Sequence, residues 1–597
     1  MQNFTLEYNV NPLERIFLDK SIECLFSNSI DSYRLRLHNP KTLIEELITV
    51  INSSINGVLT NNDYVEFTSK ELKKILNDNN DILIFKSVSK KHYLDILNKP
   101  NRNNYKIIQQ SSKLILKYNQ EYFSNVFNEI YNIFSSYTSF ENKKRVLDLN
   151  KEKDFNLLQK KLIVLIDYLY IELLNIGFSK QYLYKIFQSI FIYHRNPSTN
   201  FDLQFQIFEN LINKENEKYK IIFSIKDKSF LFHELKKIDE RYFLVDKKER
   251  NKLKSIISEE GKNYLEKNSD NILFGIEYST KDHFKAVQLS IDKLSKDLDI
   301  YHLGYNNKHY KVEAHCLTIG ENEPNKATAV PSNFQIDGKF NSNTAIFNNL
   351  LEKIKKLKET NIDEDSYQKI LSAIRYYRTG SESPELETKL LNYWIGLEFI
   401  FTSFHSEEKT INRIRNYFPI CHSLIYVKRN LYDYHKTLGR LNVSSSIIDY
   451  SESLNYLLNN QVYDTIKNNT KSQLLKFRSD YFQKWYQEPN KINEVLDRHK
   501  NNVEWNITRL YRIRNEIVHN AAIKNGIYTH ISHLKYYLSF ILNSILNFMT
   551  ENAVDLDNDG KISIEDYFIS QEIIFGALRN QKLEKWLEIE YQNHIFQ

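Results

Sequence analysis

The stretch Arg512 to Asn520 reads R-I-R-N-E-I-V-H-N and sets guanidinium, carboxamide and imidazole groups within three helical turns. Those groups suit phosphodiester cleavage by an RNA's own 2′-OH, which needs a proton relay and stabilisation of a doubly charged phosphorane. An imidazole gives or takes a proton near neutral pH. A guanidinium offers a planar fork of donors to phosphate oxygens and never loses its charge. The catalytic candidates are Arg514 and His519, with Asn515 fixing an oxygen or orienting the imidazole. Between Arg498 and His519, five cations (Arg498, Lys500, Arg509, Arg512, Arg514) face two acids (Glu504, Glu516), and 5 − 2 = +3 favours an anionic partner. If the helix stays regular through His519, Arg512 is expected as the partner of the imidazole or as a phosphate contact. Residues five apart on an ideal helix differ by about 140° in azimuth, so Arg512, seven before His519, shares its face better.

Spacing alone is weak. Arg followed by His after four to six residues should occur about 1.6 times by chance in such a chain, and Arg415/His422, Arg429/His435, Arg512/His519 and Arg514/His519 all qualify. Context separates them. Pro419 is expected to break a helix between Arg415 and His422, and Arg429/His435 lacks an amphipathic frame. The last two pairs lie on a helix with Val503, Ile507, Leu510 and Ile517 on one side, followed by the exit N-A-A-I-K-N-G. The bland alternative is an ion-paired Arg514 and a helix-capping His519 in a bundle without activity.

A second constellation is D-L-D-N-D-G-K-I-S-I-E-D at 555–566. Oxygen ligands at positions 1, 3, 5, 7, 9 and 12, with Gly at 6 and an apolar residue at 8, describe an EF-hand-type loop. Here these are Asp555, Asp557, Asp559, the Lys561 carbonyl, Ser563 and Asp566, with Gly560 and Ile562 in register. The loop resembles EF-hand and dockerin-like calcium loops. Asp566 is shorter than the usual bidentate Glu, which admits Mg2+ as well as Ca2+. Such an ion would be structural, and the alternative is an Asx-rich turn without metal.

The elements that must position these residues are mostly helices. Residues 1–215 read as helical, with apolar residues recurring at three and four in Tyr105–Phe134. Between 216 and 345 the runs YKIIFSI and LFGIEY, a helix capped by Thr280, and the alternating YKVEAHCLTI make a small α/β domain. From 346 to 550 the chain is helical again: Gly380 ends one helix, and Ser383 with Pro384 opens the next. An antiparallel bundle is expected there, and 551–597 carries the acidic loop and a helical extension. The fold class is therefore mainly α, with one small α/β domain.

Composition narrows the function. The chain has 597 residues, too many for one core. Its net charge of +6 is too mild to prove a nucleic-acid partner. Cys24, Cys316 and Cys421 are too scattered for a zinc site or a disulfide framework, which fits a reducing cytoplasm. The start MQNFTLEYNV has no secretory pattern. LIVLIDYLYIELL carries Asp167 and Glu172, so it reads as a core helix and no membrane partner is expected. P-loop, dinucleotide-fold and serine-hydrolase signatures are missing from the sequence.

RNEIVH is similar to the R-(N/H/D)-x-x-x-H motif of HEPN domains. AIRYYRTGSESPELETKLLNYWIGLEFIF resembles the first part of the Apea-like HEPN group, with Trp394 and Glu398 on its first long helix, and HISHLKYYLSFILNSIL fits the closing helix. The resemblance covers about residues 348–550. It implies a metal-independent endoribonuclease with Arg514, Asn515 and His519 in the motif positions and a composite site formed by two copies. Glu398 is expected to support Arg514, by an ion pair or from behind the site. The group resembles bacterial toxins and abortive-infection proteins, which implies an anti-phage effector acting on tRNA or on phage or host mRNA. Residues 1–345 would then sense an unknown trigger or restrain the nuclease. The alternatives are a HEPN-like RNA-binding or scaffold protein and, more remotely, a calcium-responsive interaction protein.

Overall fold

The first helix begins where its sequence says it should. Asn11 accepts from the amides of Leu13 and Glu14, Glu14 answers the Asn11 amide, and Pro12 opens the first turn. The computed structural model describes residues 9–28, 38–59, 61–78, 82–141, 149–193, 200–226, 231–304, 312–334, 336–338, 340, 343–403, 407–443, 448, 453–520 and 527–589. Within these, the side chains of 138–141, 149–153, 231, 519–520 and 527–528 also lie outside the described residues.

The N-terminal region includes α1 (Pro12–Leu25), α2 (Pro40–Ile55), α3 (Asp63–Asn77) and α4 (Leu149–Asn175) around one core running from Leu13 to Ile212. Phe17 lies at its centre against Phe134, Phe187, Phe191, Phe201, Phe205 and Phe208. These aromatics therefore fill a core. The two acids on the most apolar helix are paired: Lys20 meets Asp167 at 3.0 Å, and Asn39 and Lys41 donate to Glu172 at 2.7 and 2.8 Å.

A wholly antiparallel sheet follows, with strands β1 (Glu217–Ile225), β2 (Phe243–Leu244), β3 (Ile272–Thr280), β4 (His315–Gly320) and β5 (Thr328–Pro331) in the order β2-β3-β1-β4-β5. Ile221, Phe223 and Ile225 alternate with Ile222, and each face has its own core. The helix α5 (His283–Gly304) is capped by Asp282, which accepts from the Lys285 amide at 2.9 Å. Thr280 instead ends β3, and its hydroxyl donates to the Asp282 carbonyl. The strand expected over YKVEAHCLTI begins only at His315; residues 310 and 311 lie outside the described residues.

The C-terminal region contains α6 (Thr344–Glu359), α7 (Glu364–Glu382), α8 (Leu386–Phe401), α9 (Thr410–Leu424), α10 (Tyr426–Arg440), α11 (Gln473–Gln487), α12 (Pro489–Asn520), α13 (Ile527–Glu551) and α14 (Ile564–Leu578). Helices α7, α8, α9, α12 and α13, with Ile564 and Phe568 of α14, share one core. Helices α10 and α11 build a second, which also takes in Trp586 and Leu587. The terminal extension is thus folded into both. Local signals were overridden at three points. Gly380 is buried inside α7, where a Cβ would meet the Tyr393 ring at 2.7 Å, so it permits a close approach and does not end the helix. Ser383 closes α7 by donating to the Thr379 carbonyl, and α8 starts at Leu386. Pro419 lies within α9, which continues to Leu424.

Candidate active site and acidic loop

Helix α12 turns Val503, Ile507, Leu510 and Ile513 inward. On α8, buried Trp394 packs against Tyr511 with ring centroids 5.5 Å apart. One turn further along both helices, Glu398 approaches Arg514, with Oε2 3.7 Å from Nη2. Nη1 of Arg514 donates to Asn515 Oδ1 at 3.0 Å. Arg514 and Glu398 each keep about a quarter of their side-chain surface exposed, at 26% and 27%. Asn515 donates in turn to the hydroxyl of Tyr64 on α3 at 3.3 Å. Arg514, Asn515 and Glu398 therefore meet at one place. The α12 backbone remains helical through Asn520, so position 519 has the register of Arg512. The side chain of His519 lies outside the described residues.

Arg512 is placed differently from the expected phosphate contact. It is 6% exposed, its Nη2 donates to Glu46 on α2, and its Nε lies 3.8 Å from Glu516. Arg509 holds Glu46 through both carboxylate oxygens, with Nε at 2.9 and 3.1 Å, and Glu71 at 2.6 Å. Burial alone would raise the Glu46 pKa, but Arg509 and then Arg512 hold it well below the usual carboxylate range. His38, 3.3 Å from Glu46, is pushed down by burial and by Arg509. The local charge of +3 is thus offset by acids more than four hundred residues away in sequence. No pattern around α12 could reveal them.

In the other Arg–His pairs the arginine and the histidine take different partners. Arg415 reaches Asp63 at 3.0 Å and lies over the Phe67 ring. His422 Nδ1 is 2.7 Å from His499 Nε2, and its Nε2 is 3.0 Å from the Tyr536 hydroxyl, which also accepts from Arg429. Phe418, Tyr426 and Phe540 enclose the two rings. Burial pushes His422 well below its ordinary value, and burial with Arg429 pushes His499 down to about 3. Both rings are neutral at pH 7. His435 meets the Tyr456 hydroxyl at 2.9 Å.

In the acidic loop, ligand atoms of Asp555, Asp557 and Asp559 lie within 4.8 Å of one another. Gly560 takes the left-handed φ of 81° that the loop requires, and its amide donates to Asp555 Oδ2 at 2.8 Å. The Asp559 amide pulls the Asp557 pKa down, yet the net shift is upward because slight desolvation and the neighbouring carboxylates of Asp555, Asp559 and Asp566 oppose its charge. Asp555 Oδ1 is buried without a hydrogen-bond donor. Such crowded carboxylates fit a divalent cation. Asp566 is drawn elsewhere: it accepts from Leu556 and from the Ser563 amide and hydroxyl, forming the capping box of α14. Of the six positions read as ligands, the three leading aspartates converge, Lys561 donates its amide to Asp559 Oδ1 at 2.7 Å, and Ser563 and Asp566 serve the helix. Ile562 pairs with Ile362, tying the loop to the turn before α7.

Comparison with family models, curated proteins and solved structures gave no match. Among the described residues, no helix is long and apolar enough to cross a membrane.

Proposed function

We propose that this chain is a metal-independent RNA endonuclease of HEPN type that serves as an anti-phage effector in the cytoplasm. The observation that supports this most is Arg514, a partly exposed guanidinium held between Asn515 and Glu398 at the end of a long helix. In this reading an imidazole takes the 2′-OH proton, the alkoxide attacks phosphorus, and the 5′-oxygen leaves with a proton. The products carry 2′,3′-cyclic phosphate and 5′-hydroxyl ends. Arg514 neutralises the phosphorane, Asn515 and Glu398 orient Arg514, and His519 is the relay. One copy offers few groups to hold both sides of the phosphate, so a second copy completes the site. Val518, one turn beyond Arg514, and Phe399, beside Glu398, are exposed apolar groups suited to its approach.

The test is incubation of purified protein with RNA in EDTA, analysis of the product ends, and light scattering for mass. Cleavage that persists in EDTA, cyclic-phosphate ends and a dimeric mass are expected. 3′-Hydroxyl ends with EDTA sensitivity would overturn the mechanism, and a fully active monomer would overturn the composite site. A non-catalytic RNA-binding or scaffold role is favoured by one observation: the ion pairs of Arg509 and Arg512 leave Arg514 as the exposed guanidinium of the motif. For the acidic loop we propose a structural Ca2+ or Mg2+ ion on Asp555, Asp557 and Asp559, outside the chemistry.

A further inference from the structure

We infer that Arg509, Arg512 and Arg415 form a binding face for the backbone of single-stranded RNA, and that helices α2 and α3 cover this face with their carboxylates. The inference rests on the RNA reading of α12 and adds both a substrate-binding surface and the element that occludes it.

The first argument is the sign of the contact. In Glu46–Arg509, Glu46–Arg512, Glu71–Arg509, Asp63–Arg415 and Glu23–Arg478 the carboxylate belongs to the N-terminal region and the guanidinium to the C-terminal region. Lys70 of α3 acts on Glu504 of α12 in the opposite sense, but the close ion pairs of the joint run one way. A surface of arginines met by a surface of acids is what results when one anion stands in for another.

The second argument is geometry. Arg509 receives Glu46 on Nε and Nη2 together, and Nη2 also receives Glu71. Phosphate oxygens engage a guanidinium fork in the same way. Exchanging carboxylate for phosphate leaves every buried guanidinium paired, so the exchange avoids the large penalty of an uncompensated charge.

The third argument is what surrounds the arginines. Trp505 and Tyr511 alternate with Arg509 and Arg512 along α12. Lys74 of α3 lies over the Trp505 ring at 4.8 Å, and Tyr64 stacks on Tyr511 at 6.3 Å. Cations interleaved with aromatic faces are the pattern that tracks a single strand by phosphate contact and base stacking. The groups of α2 and α3 and those of α12 line a narrow cleft: Glu46, Tyr64, Glu71, Trp505, Arg509 and Arg512. Tyr64 also accepts from Asn515, so the same cover reaches a residue of the motif.

The experiment measures binding of fluorescein-labelled oligouridylate by the full-length chain across a salt series, with hydrogen exchange of α2, α3 and α12 as an independent readout. In Glu46→Gln/Glu71→Gln, exchange in α2 and α3 should rise. Two freed guanidiniums should steepen the salt slope by about 1.4, which is about twenty-fivefold in affinity near 0.1 M salt and none near 1 M. Adding Arg509→Gln/Arg512→Gln should erase the gain. Should the double variant fail to fold, Asp63→Asn at the rim opens only Arg415, with about half the slope change.

Opened helices with unchanged RNA affinity would overturn the inference, and so would helices that stay closed in both variants. Equal affinity for polyglutamate would overturn the assignment to RNA. A binding gain with no cleavage in any variant keeps the covered face and removes the nuclease. Cleavage that depends on Arg514 without any binding gain does the reverse.

Discussion

Two clusters of the C-terminal region share a vocabulary of arginine, polar partner and ring, and differ in everything else. Around Arg514 the groups are partly exposed and loosely held, with a carboxylate at 3.7 Å and a carboxamide at 3.0 Å. Around His422 they are buried, matched donor to acceptor, and walled by aromatics. The first can exchange its partners for a substrate, while the second would lose its own bonds by doing so. Residue type nominates an imidazole as a proton relay, and burial with satisfied hydrogen bonds withdraws that nomination.

The largest expected effect separates the two clusters by activity. Loss of general acid–base help typically costs about a hundred- to ten-thousandfold, so His519→Ala and Arg514→Ala should each abolish visible RNA cleavage while the melting temperature stays put. Arg514→Lys should rescue poorly, because an ammonium cannot reproduce the fork. Wild-type cleavage by His519→Ala would return R-I-R-N-E-I-V-H-N to a solvated helix tip.

His422→Ala should do the opposite. It removes one hydrogen-bond partner from His499 and one from the Tyr536 hydroxyl and opens a void, at a cost of roughly 3 kcal/mol. Calorimetry should show that loss in a dilute sample whose residual folded fraction still cleaves. A stable His422→Ala protein without activity would move the catalytic role to the buried cluster.

The acidic loop offers a third environment. Titration calorimetry of metal-free protein with Ca2+ and Mg2+ should give binding heat that Asp555→Ala removes. Saturation at a hundred times Kd should add about 2.7 kcal/mol of stability, with cleavage unchanged. An activity that follows the metal would contradict the proposed chemistry.

The smallest expected effect is with pH. His499 has a folded-state pKa of about 3 against an ordinary 6.5, so the native state binds fewer protons than the unfolded chain. Its contribution is complete above about 6.5 and is lost as pH falls from there towards 3, amounting to about 2 kcal/mol at pH 5. The groups facing it are His422, Tyr426 and Arg429. Chemical denaturation at pH 7 and pH 5 should show the drop, and His499→Phe should make it smaller, the rest coming from His422 and His38.

How much was legible can be judged from particular residues. The alternation around Ile221 and Phe223, the apolar stripe of α12 and the Asp–Gly register of the loop are local patterns, and the described structure has β1, α12 and a left-handed Gly560 at those places. Boundaries were harder. Gly380 and Pro419 carry strong local signals for helix ends, yet both lie inside helices; at Gly380 the Tyr393 ring packs against the continuing backbone.

By itself the sequence determined a mainly helical chain with one small sheet, the helix that carries Arg514 and Asn515, and the spacing of the acidic loop. Each depends on periodicity or on groups a few residues apart, and chain connectivity alone brings those together. Only the tertiary structure decided that Arg512 is buried on Glu46, that Arg514 is not, and that His422 finds His499 and Tyr536. Those outcomes depend on which distant surfaces meet, because a charged or titratable group takes its character from the solvent and partners that packing leaves to it.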